Sequence, residues 1–468
     1  MPVIVGPCAS YTTLRDMTLF SKTSRIQAAR IDRSRARSPA TTRSIRFSIC
    51  ANLAHLATRK NIELSVARPS SMETRSGRRE CFRLVQELEA TLMRRVQDYS
   101  YRTRRRTPLA RLRARYSRLF LHLDNVRDIV GGSCKDLLLK SSLMRLAPPE
   151  VHHNHPLFPD GSRPRRLCLF ASYSKTSVVS DMVLEQLRAY RQAGFSIVFV
   201  SMSAGVSKPD LERLSGFCAT VIRRDNHGLD FGAWADALRL LAGETTGLDS
   251  LLLTNDSNIG PISPLGPWIE KCLASEGIFG LTESLQGGAH LQSYFLLGHG
   301  RRATEDLTAF LRKLRVSFSK WILIQRGEIG LTSAMRQRHF VAAVIDHETL
   351  ENAVLDDIEA QLELSVVCPD LFANFAIDQP PSAGIHDLQE ARRIRDRYGL
   401  RRRLFNFPLN PTHQLASVLV KTFKFPFIKT ELIVKNPARM PFAPDWRYCI
   451  DDQSPCSVEM IERHIAGR

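Results

Sequence analysis

From Leu167 onward, short apolar runs alternate with segments whose apolar residues recur every three or four positions. The runs Leu167–Ala171, Phe195–Ser201, Ala219–Ile222 and Ser250–Thr254 are strand-sized. Between them, Asp181–Ala193 places Val183, Leu184, Leu187 and Tyr190 on one side of a helix that Gly194 stops. Pro209–Phe217 and Phe231–Leu241 predict further helices, and Ile278–Leu281 and Tyr294–Leu297 further strands. Strands alternating with helices imply an α/β fold, a mostly parallel sheet with helices on both faces.

The pattern upstream differs. Residues 1–77 show no sustained period and few large apolar residues after the first twenty, which reads as a disordered basic arm. Within it, the Arg/Ser-rich, acid-poor stretch 15–47 has the composition of a transit peptide; the alternatives are a plain disordered arm or a natural start at Met72. Residues 79–99 carry Val85, Leu88, Leu92 and Val96 at helical spacing, and a second helix is expected from Pro108, with Leu112, Tyr116, Leu119, Leu123 and Val126 on one face. The pair reads as a basic helical hairpin, and the Pro/Gly-containing stretch His155–Pro164 as a linker. Residues 346–366 are acidic and helix-like, a loop is expected around Asp378–Ala383, and the chain from Leu404 is rich in Phe and Pro.

Charge sharpens this division. Residues 1–166 hold 33 Lys+Arg against 13 Asp+Glu, whereas 167–468 hold 33 against 34, so the formal charge of +19 belongs to the N-terminal third. The basic hairpin could be a solvated support for the sheet domain. It could also be a surface lying on anionic lipid, where each basic residue contributes about 1 kcal/mol. No recognition motif or interleaved aromatics accompany the arginines, which argues against nucleic acid. The 10 cysteines are scattered singly, as expected of buried thiols in a reducing compartment. No apolar run approaches the ~20 residues of a spanning helix, and Met1–Ser10 lacks the basic start of a secretory signal.

Several chemistries are absent. The strand Leu167–Ala171 leads into Ser172-Tyr173-Ser174-Lys175-Thr176, with no G-x-G-x-x-G and no P-loop, which argues against a nicotinamide enzyme or a kinase. No G-x-S-x-G elbow marks an α/β-hydrolase. Two polar loops remain at the ends of strands, where open α/β sheets bind ligands. Asn255-Asp256-Ser257 ends an apolar strand: Asp256 could hold a divalent metal together with substrate phosphates, or the turn could simply cap the strand. Arg224, Asn226, Gly228 and Asp230 form the second loop. Arg224 could clamp a phosphate and Gly228 permit close backbone approach, while Asp230 could equally be a helix N-cap. Phe231 and Trp234 fit core positions better than a sugar platform.

The ordered series R-x-N-x-G-x-D-F-G-A-W, L-T-N-D-S-x-x-G-P, F-G-L-T-E-S and H-L-Q-S-Y-F resembles the rhamnan synthesis protein F family. The later pieces Gly327–Thr332, Asn410–His413, Phe425–Leu432 and Asn436-Pro437 are similar to its C-terminal pattern, and the likeness spans about 166–450. Members are bacterial glycosyltransferase-like proteins of rhamnose-polysaccharide and O-antigen assembly. The resemblance implies a GT-A-like, Rossmann-type domain over 164–345. The other divisions are the arm 1–77, the basic hairpin and linker 78–163, and a helical, Phe/Pro-rich part 346–468 of the same module.

It also implies a nucleotide-sugar donor such as dTDP-rhamnose, and a lipid-linked or polymeric glycan acceptor. Carried over by position, Asp256 would ligate Mn²⁺ or Mg²⁺. Arg224, Asn226, Gly228, Asp230, Asn255 and Ser257 would line the donor pocket, and His290, Gln292, Ser293 and Tyr294 would lie near donor sugar or acceptor. Glu328 is the candidate general base, with Asp230 a second catalytic carboxylate, and Ser284–Ala289, with Gly287 and Gly288, a candidate lid. The expected setting is the cytoplasm, peripheral on the inner face of the plasma membrane through 78–130. Because the second aspartate of an Asp-X-Asp is missing, the alternative is a non-catalytic scaffold with a degenerate transferase domain.

Overall fold

A computed structural model describes residues 117–158, 164–368, 404, 409–437 and 440–468. The expected arm at 1–77, the first helix of the basic hairpin and the loop near Asp378–Ala383 lie outside the described residues.

Among the described residues the frame is a nine-stranded sheet in the order β1-β4-β3-β2-β5-β9-β7-β10, with β8 pairing to β7. Its strands are β1 (Glu150–Asn154), β2 (Arg166–Ser172), β3 (Ser196–Ser201), β4 (Thr220–Arg223), β5 (Ser250–Asn255), β7 (Gly277–Ser284), β8 (His290–Leu291), β9 (Phe295–His299) and β10 (Val341–Ile345). β2 pairs in parallel with β3 and β5, β3 with β4, and β7 with β10, whereas β1, β8 and β9 run antiparallel to their neighbours. The sheet is mixed and mostly parallel, as the alternating pattern predicts.

Side chains alternate across each strand, so the sheet has two apolar faces. Leu167, Leu169 and Ala171 of β2 and Leu251 and Leu253 of β5 join one core cluster with Phe231, Trp234, Ala237, Leu307 and Leu311. These last five belong to the helices α1 (Leu229–Leu240) and α2 (Arg301–Lys313). On the opposite face the Phe170 ring stacks on Phe199 and tilts against Tyr190 of the helix Asp181–Gln192. Every residue of β5 is buried, as expected for a strand covered on both sides.

The strand order has one consequence for function. From β2 the chain steps one way to β3 and β4, then crosses back to place β5 on the other side of β2. That reversal leaves a crevice beyond the carboxyl ends of β2 and β5, the usual ligand site of open α/β sheets.

Two readings of the sequence change. β1, inside the stretch 78–163 read as hairpin and linker, is an edge strand of the same sheet, paired to β4. The helix expected from Pro108 is described over Ser117–Lys140, and Val126, assigned to its packed face, is 56% exposed. Leu112, Tyr116 and the side chains of Leu119 and Leu123 lie outside the described residues. This helix is fixed to the domain through acids. Asp136 accepts from Ser317 Oγ (2.6 Å) and the Phe318 amide (3.1 Å), and Asp128 from Ser319 Oγ (2.6 Å) and the Trp321 amide (3.0 Å).

Candidate functional site at the sheet switch point

Asp256 follows β5 directly and is turned toward the end of β2. Its Oδ2 accepts from Ser172 Oγ at 2.6 Å and from the Tyr173 amide at 3.2 Å, so this carboxylate closes the crevice floor. Asn255, one residue earlier, donates through Nδ2 to Asp230 Oδ2 at 2.7 Å and accepts the Ser257 amide on Oδ1 at 3.0 Å. The strand end therefore fixes the first turn of α1. The N-cap of α1 is Gly228, at φ 79°, and no side chain caps the helix. Asp230 is thus not the N-cap; it faces β5.

A third carboxylate enters from a helix with a widened turn. The segment Lys320–Leu323 is α-helical, Ile324–Ile329 is π-helical, and Gly330–Arg336 returns to α. Such π turns often mark functional sites. A Cβ on Gly327 would lie 2.8 Å from the Phe231 ring, so glycine lets this turn close on α1 and brings Glu328 to the crevice. Glu328 Oε1 accepts from the Ser293 amide at 3.3 Å and from Ser293 Oγ, and Oε2 pairs with His290 Nε2 at 3.4 Å. His290 Nδ1 is bonded to the Gly288 carbonyl at 2.7 Å.

Two cations arrive from the C-terminal part of the chain. The strand β11 (Ile428–Lys429) pairs antiparallel with β6 (Asn258–Ile259), just beyond Asp256, and Lys429 Nζ donates to Ser257 Oγ at 3.1 Å. Arg468 follows the helix Val458–Ala466; its Nη2 donates to the Asp256 carbonyl and pairs with Asp256 Oδ1. Arg468 Nε donates to His464 Nε2 at 3.2 Å, and the Lys175 amide donates to the Gly467 carbonyl at 3.1 Å.

The electrostatics separate the carboxylates. Burial, then the charge of Asp256, pushes the Asp230 carboxyl up to about 7, against the pull of Lys429 and Arg468. Burial also raises Glu328, but His290, Ser293 and Lys429 outweigh it and hold that carboxyl below its usual range. Burial would lower His290, yet its bond to Glu328 carries it above the ordinary imidazole value. Glu328→Gln should therefore lower the His290 pKa, because burial is then less opposed; NMR titration of the ring checks the direction.

The other sequence candidates fall elsewhere. Arg224 is buried, with Nε on Asp236 Oδ2 (2.8 Å) and Nη2 on the His227 carbonyl (2.8 Å), so it ties the end of β4 to α1. Asn226 is exposed. Gly228 is required locally, since a Cβ there would lie 2.6 Å from Val316 Cβ. Gln292 is spent on Asn410 Oδ1 (3.0 Å), Thr412 Oγ1 (3.2 Å) and Thr282, and Tyr294 on Thr282 and the Phe425 and Phe427 rings. Phe231 and Trp234 are core, as their pattern suggests. The candidate lid Ser284–Ala289 is tied at its base, where Ser284 Oγ and the Leu285 amide donate to the Leu409 carbonyl. Ser172, Tyr173 and Arg468 carry no local motif, and Lys429, though inside the piece Phe425–Leu432, carries no sign there of its place; the strand order, the β6–β11 pairing and the last helix reveal them.

The expected metal fits this donor set poorly. Both Asp256 oxygens are engaged, one by Ser172 and Tyr173 and the other by a guanidinium. Among the described residues, no three His, Cys, Asp or Glu side chains converge as a metal site.

Comparison with known proteins adds a match over part of the chain. Residues 197–358 match the model of rhamnan synthesis protein F, a range that includes the loops of Asp230, Asp256 and Glu328. The chain is 31% identical over 173 residues to the uncharacterized protein y4gN of Sinorhizobium fredii, covering 36% of this chain and 44% of that one. The chain thus spans less than half of that relative. It is 26% identical over 284 residues to the virulence protein VirA of Vibrio anguillarum, covering 59% of this chain and 82% of VirA. Among solved structures it is similar to a Desulfovibrio desulfuricans protein assigned as a nucleotide-diphospho-sugar transferase, at 12% identity and TM-score 0.25, covering 52% of this chain and 99% of that chain. It is likewise similar to the glycosyltransferase GlyE of Streptococcus pneumoniae, at 9% identity and TM-score 0.25, covering 52% and 63%. Neither overlay is close enough to bear on the site.

Proposed function

We propose that this chain is a glycosyltransferase that moves a sugar from a nucleotide-diphosphate donor to a glycan acceptor, within cell-surface polysaccharide synthesis. One observation carries the reading: Asp256 bonded to the end of β2, Asp230 bonded to the neighbouring Asn255, and Glu328, whose charge reaches Asp230, come from three separate elements to the switch point of an open α/β sheet. The rhamnan synthesis match over 197–358 supports a sugar substrate, and rhamnose on a deoxythymidine diphosphate is the first donor to test.

The chemistry asked of the residues is limited. The acceptor hydroxyl must lose a proton as it attacks, and a base works best when its pKa lies near the working pH. Asp230, at about 7, suits this task better than Glu328. Two carboxyls whose environments drive their pKa values apart have separate roles. In this reading Glu328 stays ionised and orients His290 and Ser293, while Asp230 takes the proton. Holding acceptor and donor together supplies the entropic part of catalysis. The acceptor is lipid-linked or polymeric, and the reaction belongs at the cytoplasmic face of the membrane, with 78–130 as the lipid-facing part. Among the described residues no helix is long and apolar enough to cross a membrane.

Incubating the full chain with a panel of nucleotide sugars and following nucleoside-diphosphate release tests the reading. One donor should be consumed. If none is consumed and calorimetry detects no donor binding, the scaffold reading stands instead.

A further inference from the structure

We infer that Lys429 and Arg468 serve the site as its cations, binding the diphosphate of the donor without a divalent metal. The inference rests on the transferase reading and goes beyond it by assigning the charge that stabilises the leaving group.

Three observations carry it. First, the carboxylate placed to hold a metal is already satisfied by protein groups: Ser172 Oγ, the Tyr173 amide and the Arg468 guanidinium. Second, the cations are built into the fold. Lys429 lies on β11, hydrogen-bonded to β6, and its Nζ is placed on Ser257 Oγ, next to Asp256. Arg468 is held by His464 Nε2, whose ring is in turn fixed through Nδ1 to Ser180 Oγ at 2.7 Å. Burial lowers the His464 pKa to about 4, so the ring is neutral and its Nε2 accepts the hydrogen bond from Arg468 Nε. Third, the two cations reach the site from separate elements, and both act on Asp230 beside the crevice.

A guanidinium offers five N–H donors in a planar fork, suited to phosphate oxygens, and an ammonium a compact point charge. With Nε on His464 and Nη2 on Asp256, the Nη1 donors are the ones left to meet a ligand. In the transfer, the bond between the anomeric carbon and the β-phosphate oxygen breaks and its electron pair stays on that oxygen. The acceptor oxygen bonds to the anomeric carbon, and its proton passes to Asp230. The charge gathering on the leaving diphosphate then falls between Lys429 and Arg468. Fixed cations at such a point act by electrostatic preorganisation.

Calorimetry on the full chain tests this, with dTDP, UDP and GDP and the matching monophosphates as probes, each in EDTA and in excess Mg²⁺ or Mn²⁺. The best-bound diphosphate should bind equally, within about twofold, in EDTA and in metal. Lys429→Met and Arg468→Met should each weaken that diphosphate about tenfold or more, and the monophosphate far less, the spread expected when a charge-assisted bond is lost. The EDTA comparison needs no variant, so it decides the matter even if a substitution unfolds the chain. Diphosphate binding that appears only with metal overturns the inference and leaves the transferase reading intact. If the chain binds none of the diphosphates in either condition, both fall.

Discussion

Asp230→Asn is expected to slow sugar transfer by about 10²–10⁴-fold, the usual worth of a positioned base, and at the same time to stabilise the fold above neutral pH. Wild-type kcat/KM should rise with pH and level off near 7, where the Asp230 carboxyl ionises; the variant should lose that limb. The groups that set this titration are Asp256 and Glu328, which raise it, and Lys429 and Arg468, which lower it. The stability effect has a definite sign. The folded pKa of about 7 lies above the unfolded value of ~3.9, so the folded chain binds the proton more tightly. The wild type therefore loses stability as pH climbs from ~4 to about 7 and no further above it. Asparagine keeps the bond to Asn255 without that loss. The gain above pH 7 should be on the order of 1–2 kcal/mol once partial exposure is discounted, closing toward pH 4. Melting curves at several pH values check this. A variant with wild-type turnover would remove Asp230 from the proton transfer.

Gly232→Ala is the substitution expected to harm the fold most. Alanine normally stabilises a helix interior over glycine by about 1 kcal/mol. Here a Cβ would lie 2.0 Å from the His227 carbonyl oxygen and 3.2 Å from Arg224 Nη1. The same carbonyl accepts Arg224 Nη2 at 2.8 Å, so moving it also loosens the ion pair of Arg224 with Asp236. Overpacking against backbone plus a weakened charged hydrogen bond should cost about 2–4 kcal/mol. Urea unfolding measures it; a stability gain would show that the loop 224–228 gives way at little cost.

The sheet was legible because buried parallel strands announce themselves. Leu167–Ala171 is an uninterrupted apolar run and Ser250–Thr254 is built on one, Leu251–Leu253, and both fall within one residue of the observed strands. β1 escaped because Glu-Val-His-His-Asn on an antiparallel edge has neither an apolar run nor a clean alternation. β10, Val-Ala-Ala-Val-Ile, is small and half-buried, and β6, β8 and β11 are two residues each, below what periodicity can register. The site divides in the same way. Asp256 and Asp230 stand out as carboxylates in strand-end loops, and Glu328 through its motif. Arg224 was a plausible phosphate clamp only until Asp236, twelve residues on, proved to hold it. Tyr294 and Gln292 sit in the same motif as His290 and Ser293, but the turn between β8 and β9 puts Tyr294 into the aromatic cluster. Lys429 and Arg468 come from more than 170 residues beyond Asp256, and only the β6–β11 pairing and the last helix bring them in.

A crystal structure of the chain with the nucleoside diphosphate it binds best tests the central claim directly. The account predicts the diphosphate beyond the carboxyl ends of β2 and β5, within hydrogen-bond reach of Lys429 or Arg468 and beside Asp230. A nucleotide bound on another face of the sheet, or one whose phosphates point away from Asp256, would contradict it.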